Sequence, residues 1–165
     1  MRDIRKPVIA GLKGWVLGGG MEIALAADIR IAGQSSRIGG PEVTRGWVGG
    51  GGASQMLPRL VGYGQAMRML LVGDPIEAQT ALRIGLVEEV VPDAEVMARI
   101  AELAARIASF SPTATQSVKA AVRASMSMSL EAGLRYENEI HVVCMSDKDR
   151  LEGIKAFQEK REGRF

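Results

Sequence analysis

A chain of 165 residues is long enough for one hydrophobic core and short for two, and 47% hydrophobic with 24% charged residues is the balance of a soluble globular protein. A formal net charge of +2, with no long single-sign run, argues against nucleic acid as the main partner, because phosphate binding takes a concentrated basic face. The single cysteine, Cys144, excludes an intrachain disulfide and a cysteine metal cluster. No apolar run reaches membrane-spanning length, and the charged start at Met1–Lys6 leads into no signal-peptide core, so a cytoplasmic protein without a membrane partner is expected.

In chain order, Pro7–Ala10, Leu12 and Trp15–Leu17 read as buried strand interrupted by small residues. Gly18–Gly20 end it, and Met21–Ala27 follow as a short helix of good formers. Asp28–Ala32 alternate like a strand, and Gly33–Gly40 form a loop with room for a short strand near Arg37 and Ile38. Pro41 and Glu42 fall in a fixed, non-helical place before the glycine-rich turn at 46–52. Helices are expected at Ala53–Leu60, Gln65–Leu71 and Ile76–Arg83, the last closed by Gly85, and a strand at Leu86–Val91.

From Asp93 the period becomes helical. Val96, Ile100, Leu103, Ala104 and Ile107 share one face; Ser111–Pro112 restart a helix whose Val118, Ala121, Val122 and Met126 continue it; two more helices follow near Ser129–Met145 and Asp147–Arg161. An α/β layer with a helical tail is the fold class. The tail's Leu130, Leu134, Met145, Ile154 and Phe157 either pack on their own domain, which the pattern slightly favours, or seek a partner surface. His141, the only histidine, sits in a helical pattern without a glycine elbow and reads as an ordinary helix residue.

The chemistry concentrates at Gly18–Glu22. A strand running through a glycine turn into a helix leaves backbone N–H groups unpaired at the helix's positive end, which favours an anionic oxygen. Neither the Walker pattern nor the Rossmann glycine spacing is met here. An oxyanion hole is one reading; the other is structural, since Glu22 lies where a carboxylate stabilises a first helical turn. Glu42 is the second element. Two carboxylates converging on one site supply an acid and a base to a carbon acid beside a carbonyl, although a lone Glu42 also reads as a solvated loop residue.

Pro7–Asp28, with its Gly18-Gly19-Gly20-Met21-Glu22 centre, resembles the signature of the enoyl-CoA hydratase/isomerase (crotonase) family. So do Pro41-Glu42, the glycines at 49–52 with Gln55–Gly62, Gly73–Ala78 with Gly85–Val87, and the ending from Asp147 through Arg161. The resemblance implies a crotonase-like (ClpP/crotonase) spiral of β-β-α units, with a partial core at 1–92 and a helical region at 93–165 for trimerisation and CoA contact. It implies hydration of 2-enoyl-CoA, with Glu22 activating water, Glu42 giving a proton to the α-carbon and the Gly19 N–H steadying the thioester oxygen. Gly18, Gly50, Phe157 and Lys160 match substrate-binding positions. Coenzyme A enters as part of the substrate, no metal or separate cofactor is implied, and a homo-trimer or hexamer is expected. Another reaction of the family, isomerisation or hydrolysis, and a catalytically silent assembly subunit stand as alternatives.

The match has departures. Gly49 stands where a proline is usual, Ala53 where a glycine is usual, and Met56 where an arginine is common. Family members carry a substantial portion ahead of the Pro7 segment, including the second oxyanion N–H, so the chain reads as the family's C-terminal part, with Met1–Arg5 as the middle of a helix.

Overall fold

The computed structural model describes residues 3–165, which form two compact units, one of Asp3 with Val8–Ala101 and one of Ile4–Pro7 with Glu102–Phe165. In the first unit, β1 (Ile9–Leu12) and β2 (Trp15–Leu17) are separate strands, because Gly14 at φ 60° turns the chain between them. The single interrupted strand expected here therefore divides between two sheets. Trp15, read as buried, is 72% exposed.

Helix α1 (Gly19–Ala26) follows, then β3 (Ile29–Gly33), β4 (Arg37–Gly39) and a five-residue 3-10 helix, Pro41–Arg45. The 3-10 turn corrects the non-helical place expected for Pro41 and Glu42: proline fixes φ at the helical value at a first-turn position. Helices α2 (Ala53–Val61) and α3 (Tyr63–Val72) flank Gly62. Ile76–Arg83, expected as one helix, divides into β5 (Ile76–Glu77) and α4 (Ala78–Arg83), and β6 covers Glu89–Val91. Ile76 pairs with Ile38 on β4, so sheet pairing overrides local helix propensity.

One sheet has the order β1-β3-β6 with every pair parallel; the other has β2-β4-β5, with β5 antiparallel. Both are built the same way. The chain lays β1 and β2, makes α1, then lays β3 beside β1 and β4 beside β2. Met21 and Leu25 of α1, Leu57 of α2 and Met69 of α3 join Leu12, Val16 and Ile38 in one apolar cluster. Each large side chain buried there contributes about 1.5–3 kcal/mol. Buried Arg30 joins three pieces of the unit. Its guanidinium donates to the carbonyls of Ala27 and Leu86, both at 2.9 Å, and to Glu88 Oε1 at 2.6 Å, so its charge is buried with partners. Helix α5 (Val96–Ala108) starts in this unit, with Val96 and Ile100 against the bare Cα of Gly11.

The second unit holds α6 (Pro112–Ser125), α7 (Leu130–Ser146) and α8 (Asp149–Gln158). Ser111 and Ser129 cap α6 and α7, accepting from the N–H groups of Ala114 and Ala132, and Pro112 takes the first helical position as read from the sequence. The Lys119 ammonium reaches the Lys6 carbonyl at 2.7 Å. Leu130, Leu134, Met145, Ile154 and Phe157 are all exposed, which reverses the slight preference for packing within the unit; Val118, Val122 and Met126 are exposed too. The helix expected through Met1–Arg5 lies in part outside the described residues, and Ile4 and Arg5 are not helical.

Candidate active site

Parallel pairing sets the site. The register Leu17↔Gly39 places the carboxyl ends of β2 and β4 side by side, and the Gly18 N–H donates to the Gly39 carbonyl at 3.1 Å. The chain leaves β2 into α1, which carries Glu22 in its first turn, and leaves β4 through Gly40 into the 3-10 helix that carries Glu42. Two carboxylates twenty positions apart in sequence thus start from adjacent strand ends, the usual place for ligand chemistry in parallel sheets.

Glu22 is buried at 8% exposure. Its Oε1 accepts the N–H of Gly51 at 2.7 Å and of Ala53 at 3.2 Å, so the carboxylate sits on the positive end of α2. The structural alternative is answered in an unexpected way. Glu22 does not cap its own helix; it caps α2, whose N-cap Gly52 has no side chain to do so. Glu42 is half-buried and faces the same space. A β-carbon added to Gly49 would lie 2.7 Å from Glu22 Oε1 and 3.6 Å from Glu42 Oε1. Both carboxylates therefore bracket one bare Cα.

Beside them, Gly18 holds φ 53° and ψ −122° and starts α1, and a β-carbon on it would meet Glu42 Oε1 at 3.0 Å. Gly19 and Gly20 are exposed, with no atom within 4 Å of where a side chain would sit. A helix start leaves its first N–H groups without partners inside the helix, and at α1 these belong to exposed residues, Gly19 and Gly20. Gly50 is exposed and equally open. Among the described residues no group of three or more His, Cys, Asp or Glu is placed to hold a metal ion.

The chain matches, over residues 1–165, the family model described as enoyl-CoA hydratase/isomerase. This chain belongs to the enoyl-CoA hydratase/isomerase family. It is 42% identical over 159 residues to the short-chain-enoyl-CoA hydratase of Clostridium acetobutylicum, covering 96% of this chain and 61% of that protein. It is 40% identical to the 2,3-dehydroadipyl-CoA hydratase of Escherichia coli, over 100% of this chain and 65% of the relative. The crystal structure of an enoyl-CoA hydratase from Bacillus anthracis superposes with a TM-score of 0.97 at 40% identity, covering 99% of this chain and 64% of that one. The chain thus spans roughly three-fifths of the length of these relatives, and within that span it has the crotonase-type fold of the enoyl-CoA hydratase/isomerase family.

Gly18, Gly19, Glu22, Glu42 and Gly50 all belong to the first unit, where Glu22 and Glu42 meet at Gly49 and Glu42 also lies against Gly18. Phe157 and Lys160 belong to the second unit. There Phe157 is 86% exposed on α8, and Lys160 just beyond it adopts the left-handed φ of 53°. Sequence reasoning missed the N–H groups of Gly51 and Ala53 as partners of Glu22. A signal was available: α2 begins after four glycines, without the Ser, Thr, Asp or Asn that usually caps a helix, so its cap had to come from elsewhere. Among the described residues no helix is long and apolar enough to cross a membrane.

Proposed function

We propose that this chain carries the catalytic centre of an enoyl-CoA hydratase that adds water to the double bond of 2-enoyl-CoA thioesters. The observation that supports it is the pair of carboxylates, Glu22 and Glu42, on the bare Cα of Gly49, with Glu42 also against Gly18 at the start of α1. Glu22, held on the end of α2, takes a proton from the water whose oxygen attacks the β-carbon. Glu42 gives a proton to the α-carbon. The Gly19 N–H donates to the thioester oxygen as negative charge gathers there, an interaction worth roughly 3–4 kcal/mol in a transition state. Gly18 and Gly50 let the substrate approach the backbone, and Phe157 and Lys160 hold coenzyme A. No metal and no separate cofactor enters, since coenzyme A arrives with the substrate, and neither nucleic acid nor membrane is a partner. The exposed apolar residues of α6, α7 and α8 support assembly as a homo-trimer or hexamer.

Crotonyl-CoA hydration, followed by loss of the conjugated thioester's ultraviolet absorbance, tests this reading. The chain is assayed alone and joined to the remaining two-fifths of the length taken from the Clostridium acetobutylicum relative. Glu22→Gln and Glu42→Gln are each expected to lower kcat by about 10²–10⁴-fold, the range for loss of a general acid or base. Unchanged rates in both variants overturn the assignment. Conversion of 3-enoyl rather than 2-enoyl substrates points to the isomerase alternative instead.

A further inference from the structure

We propose that Gly73 is a positioning residue for Glu42, acting through the 3-10 helix that carries it; the proposal rests on the hydratase reading of Glu42 and deepens it. Gly73 closes α3 in the left-handed conformation, φ 78°, with its N–H on the Met69 carbonyl at 3.1 Å. It is buried. A β-carbon there would meet Thr44 Cγ2 at 2.8 Å, Val43 Cγ1 at 3.4 Å and Pro41 Cα at 3.6 Å, so three of the five residues of the 3-10 helix rest on this bare Cα. The base of that helix is seated in the same manner. The bare Cα of Gly39 lies against Pro75, and that of Gly40 against Leu70 and Met21, with Glu42 Oε2 3.3 Å from the β-position of Gly40.

A five-residue 3-10 helix is too short and too weakly bonded to hold its own place. Inside it Thr44 Oγ1 donates to the Pro41 carbonyl at 2.7 Å; its position otherwise comes from what it rests on. Leu70, Gly73 and Pro75 supply that seat, with Gly73 lying directly against Thr44. A methyl group at 73 moves Thr44, and Glu42 moves with it. Misplacing a reacting group by about 1 Å costs up to ~10²-fold in rate.

Gly85 separates strain from contact. It holds φ 77°, nearly identical to Gly73, yet its nearest neighbour, the Leu60 carbonyl oxygen, lies at an ordinary 3.8 Å. Both alanine variants put a side chain at nearly the same positive φ, and Gly73→Ala alone pushes on the Glu42 helix. Gly73→Ala is expected to lower kcat for crotonyl-CoA by ~10-fold or more with KM within ~2-fold, since Glu42 acts in the transition state. Gly85→Ala is expected to leave both constants within ~2-fold while lowering the melting temperature comparably. Adding Thr44→Ser to Gly73→Ala removes the clashing Cγ2, keeps the hydroxyl, and is expected to restore most of kcat.

A readout free of activity accompanies these rates. The Trp47 N–H donates to the Glu42 carbonyl at 3.4 Å, so Trp47 reports the placement of the 3-10 helix. With Trp15→Phe as background, Trp47 is the only tryptophan, and its 5-fluoro analogue gives a single fluorine resonance. That resonance is expected to shift in Gly73→Ala, stay in Gly85→Ala and return with Thr44→Ser. Should Gly73→Ala fail to fold, Thr44→Ile crowds the same contact from the other side and carries the same expectation. Equal kcat effects of Gly73→Ala and Gly85→Ala, an unmoved resonance, or no rescue by Thr44→Ser overturns the positioning role while the hydratase reading stands. Unchanged hydration in Glu42→Gln instead fails the reading itself, whatever the glycine variants do.

Discussion

Gly18 shows how a single residue ties backbone geometry to chemistry. Its φ of 53° and ψ of −122° are open to glycine and strained for any L side chain, and a β-carbon would sit 3.0 Å from Glu42 Oε1. Gly18→Ala is expected to cost about 1–3 kcal/mol of folding stability in urea denaturation, and to lower the proposed hydration by ~10²-fold. Gly14→Ala is the control: φ is also positive at 60°, but nothing lies within 4 Å of the added methyl, so stability falls while the rate holds. A rate loss shared by both variants defeats the local explanation. The glycine turn and both glutamates were legible in the sequence, because motif and spacing are local. Their partners were not. That Glu22 accepts from Gly51 and Ala53, and that Glu42 rests on a helix seated at Gly73, depends on residues 29 or more positions away.

Among the elements, α8 carries the clearest electrostatic fixture. Glu152 accepts from the Arg161 guanidinium at 2.6 and 3.2 Å and from the Arg164 N–H at 2.9 Å, and these bonds, the Arg161 pair foremost, hold its carboxyl down to about 2 from an ordinary 4.5. Arg161 is raised in turn. A carboxyl depressed in the folded state contributes stability that is fully present above its unfolded value of 4.5 and is lost as pH falls through about 2. Asp147 shifts the same way, through the Asp149 N–H and then the Thr113 hydroxyl at 2.6 Å. Glu152→Gln is therefore expected to lower the urea midpoint modestly at about pH 7, where the pair is partly exposed, and the gap from the unsubstituted chain should close as pH drops toward about 2. A gap that stays constant with pH assigns the effect to packing. Elements whose signal is local, such as the Ser111-Pro112 start of α6, were read correctly. The division of Ile76–Arg83 into β5 and α4 was not, because the strand exists only through pairing with Arg37 and Ile38.

At the scale of the whole molecule, two sheets grow together because the chain lays β1 and β2, makes α1 and then lays β3 and β4 in parallel beside them, and this repetition aligns the ends of β2 and β4 where both glutamates emerge. Helical periodicity in the tail was legible, but which apolar residues are covered was not, since the 3.6-residue period gives a face and not its neighbour. The second unit leaves large apolar side chains in solvent. On α7, Leu130 and Leu134, four residues apart and so on one face, are 79% and 56% exposed, and Val118, Val122 and Met126 repeat the same spacing on and just after α6. Large apolar side chains repeated on one helix face in solvent mark an interaction surface, and self-association is the expected use of these faces. Light scattering behind size-exclusion chromatography is expected to return the molar mass of three or six copies. Leu130→Glu with Leu134→Glu, which leaves the buried residues of the unit untouched, is expected to return that of one. A single-copy mass without any substitution, or an unchanged mass in the double variant, removes this face as the interface.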